Sequence, residues 1–288
     1  MTPGVTAVIV NYNAGAELRL ALQSIAAELG DAAWEAVVVD NASTDGSAEI
    51  ALEFQPHATL IRNAHNVGFG RAVNQALAVA QAPLALIMNP DCRLEPGAIA
   101  QLTRELNRHP SCAVTGPRIL DPDGAEQGSA RGDPNMVTGL FGRSAALRRL
   151  LPGLGVSERN VVPSSAVPQG ESLPVDWLSG ACMLARVSEM RDVKGFDERY
   201  ILYWEDADLC RRLRKAGRHV RYVPSATAVH RVGHSSSKVR VPALKAFHAS
   251  AYLYYATHVA PGTANPKRLL ARAVLAARCW WLVNQATR

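Results

Sequence analysis

The sequence predicts an α/β chain: a mostly parallel sheet with helices on both faces. Three observations carry this. Short apolar runs rich in β-branched residues recur through the first part of the chain. Each is followed by a stretch with apolar residues every three or four positions. The runs are apolar at successive positions, as strands covered on both faces must be. "VTAVIVNY" is the first strand, and "AGAELRLALQSIAAEL" is the helix after it, with Leu18, Leu22, Ile25 and Leu29 along one side. "AWEAVVVDNAS" with "DGSAEIALEF", "ATLIRN" with "GRAVNQALAVAQ", and "LALIMNPD" with "GAIAQLTRELNRH" repeat the strand–helix unit. "CAVTGPRIL" is a further strand. Residues 121–176, rich in Gly, Pro and Ser, then predict a long excursion of the kind that covers a site, with one helix around "GRSAALRRLL". "LSGACMLARV" resumes strand character, "EDADLCRRLRKAG" is a helix closed by Gly217, and "HVRYVP" and "ATAVHRV" are two further short strands. "ALKAFHASAYLYYATHV" and "PKRLLARAVLAARCWWLVNQ" are helical, with Pro266 near the start of the second. The expected organisation is one domain over residues 1–240 and a basic helical extension over 241–288.

Composition bounds the function. With 288 residues, 48% apolar and 19% charged, the chain is long enough to bury a sizeable core. The net charge of +6 hides a division: residues 209–288 carry 15 Lys and Arg and no acid, leaving 16 bases against all 25 acids before them. A basic C-terminal part suits lipid head groups or phosphates, and the acidic remainder does not suit a polynucleotide. No helix-turn-helix or basic-aromatic RNA signature supports nucleic acid binding either. The five cysteines are widely spaced and form no C-x-x-C, so they read as reduced core residues of a cytosolic protein. No apolar run approaches 18 residues and the first residues lack a basic region and a cleavage site, so neither a spanning helix nor a signal peptide is expected.

The strand ends are polar. Strand one stops at Asn11 and Tyr12, strand two at Asp40, strand three leads to Asn63 and Asn66, and strand four ends in Asn89 and Asp91. Any one of these is also a good turn former or helix cap; four in succession point to the carboxyl-end crevice where open parallel sheets bind ligands. That ligand is not a dinucleotide in the usual mode, because "NYNAGAEL" after strand one lacks G-x-G-x-x-G, and no P-loop is present. Asp40 could accept hydrogen bonds from a ribose hydroxyl or a base N–H, and Asp91 could hold a divalent cation that bridges phosphate oxygens. Together they describe a nucleoside diphosphate site. Arg71, opening the helix after "NVGFG", offers planar donors to a pyrimidine carbonyl or a phosphate, although an exposed helix position suits it equally.

Seven segments in order, "VIVNYN", "VVVDNASTDGS", "RNAHNVGFGRAVNQAL", "MNPD", "WLSGACMLARV", "KGFDERYILYWEDADLCRRL" and "AVHRVGHSS", closely resemble the family 2 glycosyltransferases of the GT-A fold, a Rossmann-like architecture. Among them the bacterial rhamnosyltransferase group is the nearest match, and the resemblance spans roughly residues 5–237. It implies that Asp40 binds the nucleoside, with Asn11 and Tyr12 in the same pocket. It implies that Asp91 is the last acid of a D-x-D metal motif, bearing Mg2+ or Mn2+. Asn89 stands where the first acid of that motif often does, one carboxylate fewer. His230 matches a further metal ligand, with His234 as its rival. Asp206 matches the Asp of the E-D motif, the base that takes the proton of the acceptor hydroxyl in inverting transfer. Its neighbour Glu205 joins the catalytic set, although Glu205 and Asp208 also serve as first-turn acids that complement the helix dipole.

Trp177, Ser179, Gly180 and Trp204 are expected to shape the sugar or acceptor pocket, since an aromatic face packs on a pyranose and Gly permits close backbone approach. Core packing is the other reading of both tryptophans. In the last helix Leu269, Leu270, Val274, Trp280 and Trp281 share one side and Lys267, Arg268, Arg272 and Arg278 the other, with Leu275 and Leu282 spoiling the segregation. Such a helix fits peripheral contact with a membrane, packing on the domain, or a homodimer contact. The resulting expectation is a metal-dependent inverting glycosyltransferase at the inner face of the cell membrane. Its donor would be a nucleotide sugar, dTDP-L-rhamnose or else a UDP- or GDP-sugar, and its acceptor a saccharide on a polyprenyl diphosphate, in polysaccharide synthesis. A non-catalytic glycan- or membrane-binding protein is the alternative.

Overall fold

The computed structural model describes residues 4–30, 34–133, 160–231 and 240–287. Its strands are β1 (Val5–Asn11), β2 (Trp34–Asp40), β3 (Ala58–Arg62), β4 (Leu84–Met88), β5 (Cys92–Leu94), β6 (Cys112–Leu120), β7 (Glu126–Gln127), β8 (Ala130–Arg131), β9 (Leu173–Pro174), β10 (Trp177–Leu178), β11 (Cys182–Arg186) and β12 (His219–His230). Its helices are α1 (Glu17–Leu29), α2 (Phe69–Val79), α3 (Ala98–Arg108), α4 (Val187–Asp192), α5 (Glu205–Lys215), α6 (Arg240–Tyr254) and α7 (Pro266–Ala286).

The main sheet runs β3-β2-β1-β4-β11-β6-β12-β5. The pairings among β3, β2, β1 and β4 are parallel, as is β6 with β12, while β11 and β5 run against their neighbours. This is the mostly parallel α/β sheet that the sequence predicts. Strand alternation sorts its side chains to two cores. Val5, Ala7 and Ile9 meet Leu18, Leu22 and Ile25 of α1 and Leu102 and Leu106 of α3. On the other face Val8 and Val10 join Ala72, Val73, Ala76 and Leu77 of α2 with Leu209 and Leu213 of α5. Each fully buried large aliphatic contributes about 1.5–3 kcal/mol through removal from water, so both helix layers are firmly attached.

Several elements differ from the sequence expectation. The second helix is a 3₁₀ helix over Ser47–Phe54, a segment only eight residues long between Gly46 and Pro56. "HVRYVP" and "ATAVHRV" form one strand, β12, whose register on β6 shifts between Val223 and Thr227. Pro224 lies inside that shift and has no N–H for the ladder, so the strand bulges and continues. The described residues of the excursion over 121–176 add short strands to the sheets: β7 pairs with β6, β8 with β10, and β9 with β12. The helix expected around "GRSAALRRLL" lies outside the described residues.

The C-terminal helices fold back on the rest. α6 passes through a π-turn at Tyr255–Val259, and α7 opens with Pro266 while the Asn265 side chain accepts from the Lys267 N–H. Ala271 and Leu275 of α7 pack on Ala251 and Tyr255, and Tyr254 packs on Tyr200 and Ala207 beside α5. Leu275, which breaks the segregation in sequence, is thus buried against α6. Leu269, Leu270, Trp280 and Trp281 remain exposed. Among the described residues no helix is long and apolar enough to cross a membrane.

Candidate active site

The carboxyl ends of β1 and β2 stop at the same level, with Asn11 opposite Asp40. Both side chains are buried, and Asn11 Nδ2 donates to Asp40 Oδ1 at 2.8 Å, to Ser47 Oγ at 2.9 Å and to Ser43 Oγ at 3.1 Å. Asp40 Oδ2 accepts from the Ser43 N–H at 3.0 Å. A carboxylate held this way cannot swing out to solvent, which suits it to reading a fixed group. Tyr12 follows at the half-exposed start of the loop. Asn66 is a turn residue, its Oδ1 accepting from the Gly68 N–H at 3.0 Å. Gly68 has φ +90°, and a Cβ there would meet the Ile201 carbonyl oxygen at 2.7 Å, so glycine lets this turn lie against the segment leading to α5. The Arg71 side chain is exposed and ion-paired with Glu198 at 3.2 Å.

Asn89, Asp91 and His230 meet at a second corner. His230 Nε2 lies 3.2 Å from Asp91 Oδ1 and 3.3 Å from Asn89 Nδ2. Gln127 decides how the imidazole is used. Its amide nitrogen donates to Asp121 Oδ1 at 2.8 Å and to the His230 carbonyl at 2.7 Å, so its oxygen, 3.0 Å from His230 Nδ1, is the acceptor. Nδ1 therefore carries a proton, and in the neutral ring Nε2 presents a lone pair toward the Asp91 carboxylate. The Asn89 amide also donates toward that lone pair, and a cation between Nε2 and the carboxylate would relieve the two facing acceptors. Among the described residues no group of three or more His, Cys, Asp or Glu gathers as a full metal site. Asp91 and His230 fit a divalent ion that takes its remaining oxygens from a bound diphosphate. His234 lies outside the described residues.

The third corner is the first turn of α5. Asp206 Oδ2 accepts from the Gly180 N–H at 3.0 Å and Oδ1 from the Ala207 N–H at 2.8 Å. Glu205 beside it is buried, and its Oε2 has no hydrogen-bond partner among the described residues. Burial, then the charge of Asp206, pushes Glu205 up to about 8. Burial also raises Asp206, opposed by the two amide hydrogen bonds and by the Arg131 charge. Of the two, Glu205 holds a proton the more readily, because the amides and Arg131 favour ionised Asp206 and Glu205 Oε2 has no such partner among the described residues. The third acid, Asp208, is more than a dipole partner. It is fully buried between Arg212 Nε at 2.7 Å and His258 Nε2 at 2.6 Å.

The turn at Gly180 and Ala181, leading into β11, joins the corners. Gly180 holds Asp206, and the next carbonyl, Ala181, accepts from the Asn89 N–H at 2.9 Å. The first turn of α5 and the strand-end corner of Asn89 and Asp91 are thus bridged by one short turn. Trp177 borders it on β10, its Nε1 donating to the Gly132 carbonyl at 3.0 Å, with the Arg131 guanidinium over its ring at 5.3 Å. The Ser179 N–H is tied to the Ser129 carbonyl at 2.8 Å. Trp204 turns away into the aromatic cluster with Phe247 and Tyr254.

This arrangement has relatives. Residues 6–151 match the family model described as glycosyl transferase family 2. The chain belongs to glycosyl transferase family 2. The glycosyltransferase is similar along its whole length to the N-acetylglucosaminyl-diphospho-decaprenol L-rhamnosyltransferase of Mycobacterium tuberculosis, at 35% identity, covering 100% of this chain and 95% of that one. Over 62 residues, 22% of this chain and 24% of the other, it is 47% identical to rhamnosyltransferase WbbL of Escherichia coli. Two solved structures share the fold. GalNAc-T7 with UDP, GalNAc and Mn2+ aligns at TM-score 0.63 and 14% identity, over 95% of this chain and 54% of that one. The mannosyltransferase PcManGT from Pyrobaculum calidifontis with GDP-Man and Mn2+ aligns at 0.58 and 18%, over 100% and 74%. The fold of this glycosyltransferase is therefore the GT-A type expected.

Sequence reasoning missed Gln127, Arg131 and His258. No motif surrounds Gln127 or Arg131, and His258 reaches the site only through the folding back of α6.

Proposed function

We propose that this glycosyltransferase moves L-rhamnose, with inversion, from dTDP-L-rhamnose to a saccharide carried on a polyprenyl diphosphate. The full-length 35% identity to the mycobacterial rhamnosyltransferase carries the substrate class. Asp40 and Asn11 receive the nucleoside, and the crevice along β11 receives the sugar. An acceptor hydroxyl attacks the anomeric carbon, Asp206 takes its proton, the bond to the diphosphate oxygen breaks, and nucleoside diphosphate leaves. Glu205 stays protonated beside Asp206, so the base bears the site's negative charge. Trp177, Ser179 and Gly180 border the sugar. Asp91 and His230, with Asn89 beside them, would hold Mg2+ or Mn2+, which when bound would supply positive charge to the departing diphosphate.

The exposed Leu269, Leu270, Trp280 and Trp281 of α7, with its bases flanking them, support peripheral binding at the cytoplasmic face of the membrane, where a lipid-linked acceptor resides. A second copy of the chain is the competing occupant of that face.

The test is release of nucleoside diphosphate from dTDP-L-rhamnose, UDP-sugars and GDP-sugars, with a GlcNAc-diphosphate-lipid acceptor, with and without EDTA. Acceptor-dependent release from dTDP-L-rhamnose alone, abolished by EDTA, is expected. Preferred turnover of a UDP- or GDP-sugar would overturn the donor assignment.

A further inference from the structure

Tyr203 and Trp204, the two residues before α5, have φ of +69° and +71°. L side chains hold this left-handed backbone only where the surroundings over-determine it. Those surroundings come from the C-terminal helices. Phe247 of α6 meets Tyr203 edge-on at 5.8 Å and Trp204 at 5.8 Å, and Tyr254 meets Trp204 at 5.3 Å. Ser250 Oγ donates to the Leu202 carbonyl at 2.9 Å. One turn further on, His258 Nε2 bonds Asp208 Oδ1 at 2.6 Å, and Arg211 donates to Tyr254 OH at 3.2 Å and to the His258 carbonyl at 3.1 Å. His258 Nδ1 has no partner among the described residues, so Asp208 is what fixes the ring.

We propose that the C-terminal helices are a positioning element for catalysis, in which Phe247 and His258 hold the left-handed turn and α5 so that Asp206 stays within reach of the acceptor hydroxyl. These contacts fall on the strained turn and on the first two turns of the helix that bears the proposed base. A base displaced by about 1 Å loses on the order of 10²-fold in rate while the nucleotide pocket, built on β1 and β2, is untouched. The inference rests on the base role proposed for Asp206.

The test uses the full chain with His258→Ala and Phe247→Ala, measuring kcat, donor KM and nucleoside diphosphate affinity by calorimetry, with Asp206→Asn as control. The expected result is a fall in kcat of about 10- to 100-fold with nucleotide affinity within twofold. His258→Gln, whose amide nitrogen reaches the same position as Nε2, should recover most of the rate. Should the alanine variants not fold, Phe247→Leu, which keeps apolar bulk and removes the ring edge, is read the same way. Unchanged kcat in folded variants overturns the proposal, as does nucleotide affinity falling in step with kcat or a Gln variant no better than Ala. Full activity of Asp206→Asn would instead overturn the base assignment.

Discussion

The main-chain N–H of Gly180 lies 3.0 Å from Oδ2 of Asp206, so the turn between β10 and β11 orients the carboxylate proposed as the base. This fixes what Asp206→Asn should do. The amide keeps an oxygen for that N–H but cannot take a proton, and kcat should fall by about 10²- to 10⁴-fold with little change in nucleotide affinity. Initial rates with a saturating donor are the check; a rate within twofold of wild type removes Asp206 from the role.

Glu205 makes the fold pH-sensitive. Its folded pKa, pushed from 4.5 up to about 8, lies above the unfolded value, so the native state binds the extra proton. Stability is then fully present below pH 4.5 and is lost as pH rises through about 8. Glu205→Gln carries no such proton and should melt higher than wild type above pH 8. Parallel melting-temperature profiles for the two proteins across this range would contradict the assignment.

Gln127 bonds the Nδ1 side of the His230 ring, fixing the proton there and leaving Nε2 to face Asp91, where the proposed cation would bind. Gln127→Ala should raise the Mn2+ concentration that gives half-maximal activity by about 10- to 100-fold, as loss of such an orienting partner commonly does. His230→Ala should raise it at least as much. An unmoved Mn2+ midpoint in both would place the cation elsewhere.

Asp40→Ala removes the acceptor of the Ser43 N–H and one of the three acceptors around the Asn11 amide, at a cost of about 1–3 kcal/mol in stability. It should also weaken nucleoside diphosphate binding. Denaturant melts and calorimetry separate these effects; a loss of stability at unchanged affinity would make Asp40 structural alone.

Trp280 and Trp281 report on α7. Adding vesicles rich in anionic lipid should blue-shift tryptophan emission, and Trp280→Ser with Trp281→Ser should release the protein from them. A sedimentation mass of two chains that falls to one in the double variant would assign the face to a second copy.

Much of this was legible in the chain because its signals are local. Periodicity exposed the strand–helix units, and the residues ending β1, β2 and β4 are adjacent to the runs that mark those strands. The corner of Asn89, Asp91 and His230 was legible through His230 but not through Gln127, whose importance arises from which strand β7 pairs with. The 3₁₀ winding of residues 47–54 and the fusion of two short strands into β12 depend on helix length and on neighbouring strands that no window of sequence contains. Asp208 reads as a solvated helix acid until α6 folds back and His258 covers it.

The bulge around Pro224 has a consequence for how this enzyme can vary. His230 lies downstream of it on the same strand, and side chains alternate faces with each residue. Deleting or inserting a single residue there would turn the imidazole to the opposite side of the sheet, away from Asp91, while nearly every apolar contact upstream survived. Chain length across the bulge is therefore what the proposed chemistry depends on, and of its residues Ser225, exposed between Pro224 and the buried Ala226, is the one whose identity is comparatively free.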